Sequence, residues 1–110
     1  MSEKFKSVFD EVKSKLEGFD ATTYGGFLAL QVTLKDLDEH FYIEIKDGKL
    51  ALEPYEYNDR QAKIIMSAEN FVKMINGKLN STLAFTTGKL KIDGEISKAQ
   101  ELSKLLKKEK

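Results

Sequence analysis

Few residues in this 110-residue sequence could exchange protons or bind a metal ion. It has one histidine, His40, and no cysteine, which excludes disulfides, thiolate zinc sites and cysteine nucleophiles. His40 follows Asp36, Asp38 and Glu39, a cluster without the alternation and the glycine of a calcium loop. Because no base pairs with a nucleophile, we expect a surface histidine, a solvated acidic turn and a protein that is not an enzyme.

Two of the Gly-Lys pairs and two of the tyrosines suggest further chemistry. Gly77-Lys78 and Gly88-Lys89 lack the glycine-rich stretch that cradles a phosphate, so a helix stop and a strand start explain them better. Tyr55 and Tyr57 could stack on bases, but Arg60 is the only arginine. We therefore expect these tyrosines to pack within a loop, and we expect no nucleic-acid partner.

Composition indicates one globular domain over residues 1–110. Lysine plus arginine and aspartate plus glutamate each total 18, so the formal net charge is zero and attracts neither nucleic acid nor an anionic membrane over a long range. The first 17 residues are charged throughout and contain no apolar run of the kind found in signal peptides or membrane spans. We expect a cytoplasmic protein without a cofactor.

The elements that must position any site begin with an amphipathic helix from Lys4 to Glu17, ending near Gly18. Its apolar residues recur at spacings of three and four. This stripe could bind a partner or a membrane, but packing on the domain's own sheet is favoured. The stripe consists of Phe5, Val8, Phe9, Val12 and Leu16.

After Gly25-Gly26 the apolar residues alternate, which is typical of strands. Asp47-Gly48 is a strong hairpin signal between two of these strands, and Pro54 begins a polar loop. The predicted strands cover residues 27–34, 41–46, about 50–52, 62–66 and 89–92.

Helices are predicted among the later strands. Ser67 should cap a helix that ends at Gly77, and a last helix should begin near Glu95, after Asp93-Gly94 breaks the fifth strand. Residues 80–87 are too weak in propensity for an assignment. The result is an α+β fold.

Three blocks of the second half stand in a specific order: AKIIMSAENF at 62–71, NGKLN at 76–80 and AFTTGKLKIDG at 84–94. This pattern closely resembles the C-terminal half of the sterol carrier protein-2 family. The first half agrees more loosely, through GGFLAL at 25–30 and FYIEIKDG at 41–48. The resemblance covers nearly the whole chain.

This resemblance implies a five-stranded mixed sheet with helices over one face and an apolar tunnel between them, which in the family takes fatty acids, acyl-CoA esters, sterols and phospholipids. The chain departs from the family at Ser81, where proline is common, and at Thr86, where a bulky apolar residue is common. It ends in Lys108-Glu109-Lys110 rather than in a peroxisomal small-Lys-Leu address. A prokaryotic cytosolic version is therefore expected.

The predicted function is to bind and transfer a long-chain lipid or fatty acid, with transient membrane contact. Without the resemblance, a closed core would explain the apolar residues, whereas with it they should contact ligand. Methionine suits a wall that accepts differently shaped chains. The predicted contacts are Leu28, Leu30, Val32, Phe41, Ile43, Ile64, Met66, Phe71, Met74, Ile75, Leu79, Leu83, Phe85, Leu90, Ile92, Leu102 and Leu106.

An empty tunnel would be costly. A ligand cavity is typically at least about 300 Å³, and void costs about 24 cal/mol per Å³, or roughly 7 kcal/mol in total. Because a domain is stable by only about 5–15 kcal/mol, we expect bound lipid or a C-terminal helix that moves into the void. The alternative is an accessory domain that binds a protein partner through its terminal helices. The oligomeric state is not predicted.

Overall fold

The computed structural model describes residues 2–17 and 20–107, with the backbone alone for Thr23 and residues 103–107. A short 3-10 turn at Ala21–Thr23 precedes the sheet. The other elements, in chain order, are α1 (Glu3–Leu16), β1 (Leu28–Leu34), β2 (Glu39–Lys46), β3 (Lys49–Glu53), β4 (Ala62–Met66), α2 (Ala68–Ile75), α3 (Ser81–Thr86), β5 (Lys91–Gly94) and α4 (Ile96–Lys107).

The strands form one sheet in the order β3-β2-β1-β4-β5. β1 pairs antiparallel with β2 and parallel with β4, and the two outer pairs, β2 with β3 and β4 with β5, are antiparallel. The predicted α+β fold with a five-stranded mixed sheet is therefore confirmed. In the described part of the chain, no helix is long and apolar enough to cross a membrane.

One face of the sheet carries the core. The register aligns Val32 of β1 with Phe41 of β2 and with Ile64 of β4, so their side chains share a face. α1 packs there through Phe9, whose ring centroid lies 5.7 Å from that of Phe41, and α2 packs there through Phe71, at 5.9 Å from Phe41. The whole apolar stripe of α1 is buried, so this helix packs on its own domain.

The opposite face is polar and is covered by the loop between β3 and β4. The buried side chain of Gln31 holds this loop: its Oε1 accepts from Tyr57 N at 3.0 Å and from Arg60 Nη1 at 3.4 Å. The Tyr57 ring also packs against Tyr42, with centroids 4.8 Å apart. Loop packing is thus confirmed for Tyr57, whereas Tyr55 is exposed.

The hydroxyl of Tyr57 donates to Glu44 Oε2 at 2.6 Å. This hydrogen bond, with some desolvation, raises the pKa of Tyr57 to about 12, because ionisation would put a second negative charge beside the carboxylate. Folding therefore favours the protonated phenol. Its contribution to stability is complete below pH of about 10 and is lost as the pH rises through about 12.

We predict that an absorbance titration of tyrosinate will show a late component near pH 12, and that Tyr57→Phe will remove it. The matched control is Tyr55→Phe, which removes an exposed tyrosine of the same loop and should leave the late component in place. A late component that survives Tyr57→Phe would contradict the assignment.

Residues 80–87, left unassigned from the sequence, contain the short helix α3. Asn80 caps it, since its Oδ1 accepts from Leu83 N at 3.0 Å. Two β-branched residues of low helix propensity bond back to the helix through their hydroxyls: Thr86 to the carbonyl of Thr82 and Thr87 to that of Leu83. The Asn80 cap thus offsets part of the weak propensity, whereas the hydroxyl back-bonds do not strengthen the helix.

The predicted start and end of the fifth strand were wrong. Gly88, at φ +85°, ends α3 instead of opening a strand, and the amides of Lys89 and Leu90 still donate to the carbonyl of Ala84. The strand begins at Lys91 and continues through Asp93 to Gly94, which pairs with Ala62. Asp93-Gly94 is therefore part of the strand rather than its breaker.

The remaining helix predictions agree with the structure to within about a residue. Ser67 caps α2 through a hydrogen bond from Asn70 N to its Oγ at 3.2 Å, which confirms the predicted start. Gly77 follows α2 at φ +76° and ends it as predicted. The predicted stop of α1 at Gly18 and the polar tail at 108–110 lie outside the described residues.

Candidate functional site

An apolar cavity of about 120 Å³ lies at the β4–β5 edge of the sheet. Ile64 and Ile92, which are register partners on the helix-covered face, form its floor. Met74 of α2 and Leu90 contribute to its walls. The cavity is therefore bounded by the sheet edge on one side and by the later helices on the others.

The helix α3 supplies Ser81, Thr82 and Phe85 to the cavity. It is anchored lightly, because Ala84 is its one buried residue. The amides of Lys89 and Leu90 donate to the Ala84 carbonyl at 2.9 and 3.0 Å and tie the end of α3 to the start of β5.

The helix α4 supplies Ile96, Ala99 and Leu102 at spacings of three, together with Gln100. These spacings put the apolar three on one helix face. The start of α4 is fixed where Glu95 N donates to the carbonyl of Gln61 at 3.0 Å. A backbone contact with the residue before β4 thus fixes where α4 begins beside the cavity.

The cavity opens to solvent between α3 and the start of α4. Phe85 and Ile96 line it, yet they remain 44% and 45% exposed. Thr82 and Gln100, also lining residues, are exposed as well. The site therefore combines an apolar interior with a rim that offers a hydroxyl and an amide.

The structure brings part of the predicted ligand-contacting set together. Ile64, Met74, Phe85, Leu90, Ile92 and Leu102 line the cavity. Another eight are buried in the core and do not line it: Leu28, Leu30, Val32, Phe41, Ile43, Met66, Phe71 and Ile75. For both groups, contact with a ligand stays a prediction.

Three predicted residues lie elsewhere. Leu79 is half-buried and packs against the core, outside the cavity lining. Leu83 is 58% exposed on α3. The side chain of Leu106 lies outside the described residues.

The predicted set omitted Ser81, Thr82, Ile96, Ala99 and Gln100, which line the cavity. Ile96 and Ala99 carried a usable signal, because they share the helical spacing that leads to Leu102. Ser81, Thr82 and Gln100 carried no such signal, because polar residues at the rim of an open cavity do not belong to an apolar pattern.

The cavity is smaller than the roughly 300 Å³ at which ligand sites begin. The tunnel that the resemblance implies therefore stays a prediction. Because the cavity opens to solvent, the cost of about 24 cal/mol per Å³ for an enclosed void sets an upper limit of about 3 kcal/mol for its volume of about 120 Å³, which a small domain can tolerate.

The residues that could exchange protons lie away from this cavity, on the polar face or in the turn between β1 and β2. His40 is half-buried, with Nδ1 3.0 Å from Thr33 Oγ1 and Nε2 3.7 Å from Glu56 Oε2. It is thus more enclosed than the surface histidine we predicted. Its ring joins the polar network of strands β1 and β2.

Two of the three acids, Asp36 and Glu39, have structural contacts. Asp36 Oδ1 accepts from Ala68 N at 2.9 Å at the start of α2. Glu39 Oε2 accepts from Ser2 N at 3.1 Å, and hydrogen bonding from Ser2 lowers the pKa of Glu39. Within residues 2–17 and 20–107, no three acids or histidines converge as metal ligands would.

Fold and cavity together define a small α+β domain with an apolar cavity between a sheet edge and its covering helices. The model of the SCP-2 sterol transfer family matches residues 7–107. The chain belongs to this family, and the resemblance found in its sequence is confirmed.

Three similar proteins give the extent of the match. Sterol carrier protein 2 of Homo sapiens is 32% identical over 113 residues, covering 94% of this chain and 20% of that protein. Hydroxysteroid dehydrogenase-like protein 2 of Rattus norvegicus is 53% identical over 53 residues, covering 46% of this chain and 10% of that protein. The solution structure of Aedes aegypti Sterol Carrier Protein-2 with palmitate has a TM-score of 0.72 at 18% identity, over 100% of both chains. The chain therefore spans a fifth or less of the human and rat proteins.

Proposed function

We propose that this domain binds the acyl chain of a long-chain lipid in the cavity between β4, β5 and the helices α2, α3 and α4, and transfers it. The observation that carries the proposal is an apolar cavity with a polar rim in a member of a sterol transfer family. The palmitate complex of the Aedes aegypti protein, which shares the fold, supports a fatty acid as the first ligand to test.

Apolar contacts would hold the ligand. The hydrocarbon would lie against Ile64, Leu90 and Ile92, while its polar end would stay near Thr82 and Gln100 at the rim. Burying about fourteen methylenes gains roughly 11 kcal/mol, against association costs of about 4–15 kcal/mol. The expected affinity is moderate, which suits a carrier that must release its ligand.

A long chain needs more room than about 120 Å³, so lining elements must move. The helix α3 is the element we propose to move, because it buries Ala84 alone and shifting it exposes little apolar surface. Entry of the hydrocarbon would replace the lost contacts. Ligand binding and displacement of α3 would thus be coupled.

We predict that palmitate will raise the melting temperature of the protein, because a ligand that binds the folded state alone stabilises it. Octanoate is the matched control: it has the same carboxylate but eight fewer methylenes, and should give little shift at the same concentration. Native mass spectrometry should show one palmitate per chain, recovered with its mass unchanged. No bound palmitate, or equal shifts with both acids, would contradict the proposal.

We also propose that the domain binds lipid without chemical conversion and acts in the cytoplasm. The match to the rat dehydrogenase-like protein covers 10% of that protein, so its name describes a much longer chain. The proton-exchanging residues described above lie outside the cavity lining, which supports a binding role.

The alternative, a domain that binds a protein partner through its terminal helices, is not favoured. Such a partner would need an apolar face that the domain leaves free. The stripe of α1 is buried against the core, and Ala99 and Leu102 of α4 are buried as well. The two terminal helices thus use these apolar faces within the domain.

A further inference from the structure

Charged residues are distributed unevenly along this neutral chain. No acid occurs between Glu69 and Asp93, although the sequence contains 18 acids. Lysine side chains alone carry charge in this segment, and all of them are exposed: Lys73, Lys78, Lys89 and Lys91.

Two of these lysines flank α3. Lys73 pairs with Glu69 at 3.5 Å, and Lys91 points to the polar face of the sheet because it alternates with Ile92. Lys78 precedes α3 and Lys89 follows it, and among the described residues neither forms an ion pair. Each end of α3 therefore carries a lysine without an ion pair, although the carboxylate of Glu11 also approaches this region, where its Oε2 accepts from Asn76 Nδ2 at 2.7 Å.

Exposed apolar side chains concentrate at the same place. Five large apolar residues in the described chain are more than a third exposed, and Leu83, Phe85 and Ile96 are three of them. Phe85 and Ile96 also line the cavity, and Leu83 stands two residues before Phe85 on α3. The cavity opening thus carries exposed apolar groups, which solvent does not favour, beside its polar rim residues Thr82 and Gln100.

We infer that α3, with Leu83 and Phe85 between Lys78 and Lys89, docks on an anionic lipid bilayer. The ammonium groups meet lipid phosphates and the two apolar side chains enter the acyl boundary. The acid-free segment fits a negative surface, and the exposed apolar groups fit hydrocarbon. The inference rests on the proposed function, because docking there lets an acyl chain pass into the cavity without crossing water.

The test is cosedimentation of the whole chain with phosphatidylcholine vesicles, with and without phosphatidylglycerol. The double variant Lys78→Glu/Lys89→Glu should weaken binding to the anionic vesicles at least about 25-fold, since each lysine near such a surface contributes about fivefold. Added salt should weaken wild-type binding. Leu83→Ser should weaken it about tenfold through lost apolar burial.

The matched control is Lys46→Glu/Lys49→Glu, which makes the same charge change at the β2–β3 hairpin. β3 lies at the opposite edge of the sheet from β5, so this variant should bind vesicles much as the wild type does. Equal losses in the two double variants, or no wild-type preference for anionic vesicles, would overturn the docking surface. Of these two results, the lack of a preference for anionic vesicles would make an acidic protein the better partner for the two lysines.

Palmitate binding without vesicles separates this inference from the proposed function. Lys78→Glu/Lys89→Glu should bind palmitate like the wild type, because neither lysine lines the cavity. A wild type that docks on vesicles but binds no palmitate would sink the proposed function and leave the docking surface standing. A wild type that binds palmitate but not anionic vesicles would overturn the docking surface and leave the proposed function standing.

Discussion

Gly94→Ala should destabilise the domain by about 2–4 kcal/mol. A Cβ at Gly94 would lie 2.6 Å from the carbonyl oxygen of Gln61 and 3.0 Å from the Cα of Ala62. Both are backbone atoms, so no side-chain rotation relieves the clash. The glycine also has φ of +111°, where an L-residue is strained.

The added Cβ would push β5 away from Gln61, and Gln61 is hydrogen-bonded to several other parts of the domain. The carbonyl oxygen of Gln61 accepts from Glu95 N at 3.0 Å, and the backbone N of Gln61 donates to the carbonyl oxygen of Ala29 at 2.7 Å. Its side-chain Oε1 accepts from Ala29 N at 2.9 Å. Pushing Gly94 away therefore strains β1, β4, β5 and the start of α4 together, and with them the cavity walls.

Gly77→Ala is the matched control. Gly77 also has positive φ, at +76°, but no atom lies within 4 Å of the Cβ that alanine would add. Gly77→Ala should lower the free energy of unfolding by about 1 kcal/mol, from backbone strain alone. Urea unfolding followed by circular dichroism measures both variants, and equal losses would show that the close approach at Gly94 is relieved cheaply.

Much of the sheet could be predicted because alternation of apolar residues specifies a buried face. Val32, Phe41 and Ile64 were expected to point inward, and all three are buried on the helix-covered face. The hairpin at Asp47-Gly48 was equally clear, since both residues have positive φ. Local periodicity and turn chemistry suffice for such elements.

The location of the cavity could not be predicted in this way. Alternation says which face a residue is on but not how far across the sheet it lies. The strand order puts Phe41 of β2 within a phenylalanine cluster formed with Phe5, Phe9 and Phe71, and puts Ile64 and Ile92 at the β4–β5 edge. Only the assembled sheet separates a closed core from a cavity wall.

α3 was left unassigned and the bounds of β5 were wrong for a related reason. The bounds of β5 depend on contacts distant in sequence, such as the pairing of Gly94 with Ala62. The helix α3 depends on the Asn80 cap, a signal that the weak helix propensity of residues 80–87 outweighed. The chain turns from helix to strand over Gly88 to Leu90 while both amides still bond to Ala84. Tertiary structure decides where the strand begins.

Ala99→Phe should abolish palmitate binding and leave the fold intact. Ala99 is buried on the cavity side of α4, between Ile96 one turn before and Leu102 one turn after. Its new ring would occupy the cavity of about 120 Å³. Filling that void recovers up to about 3 kcal/mol, which offsets the roughly 1–3 kcal/mol expected from tight packing.

The added ring brings no comparable gain to ligand binding, because it only takes space from the acyl chain. If the ring excludes about four methylenes, the lost burial is about 3 kcal/mol, a decrease in affinity of over 100-fold. Ser97→Phe is the control, because it adds the same ring to the same helix at an exposed position outside the cavity lining, and its thermal shift with palmitate should match that of the wild type.

Both variants should melt within a few degrees of the wild type without ligand, which keeps unfolding apart from blocked binding. If Ala99→Phe binds palmitate as tightly as the wild type, the acyl chain does not enter between α4 and the β4–β5 edge. The predicted contacts on the β1–β2 side, beginning with Phe41 and Phe71, would then be the next to substitute, because an acyl chain held there would have to part the phenylalanine cluster.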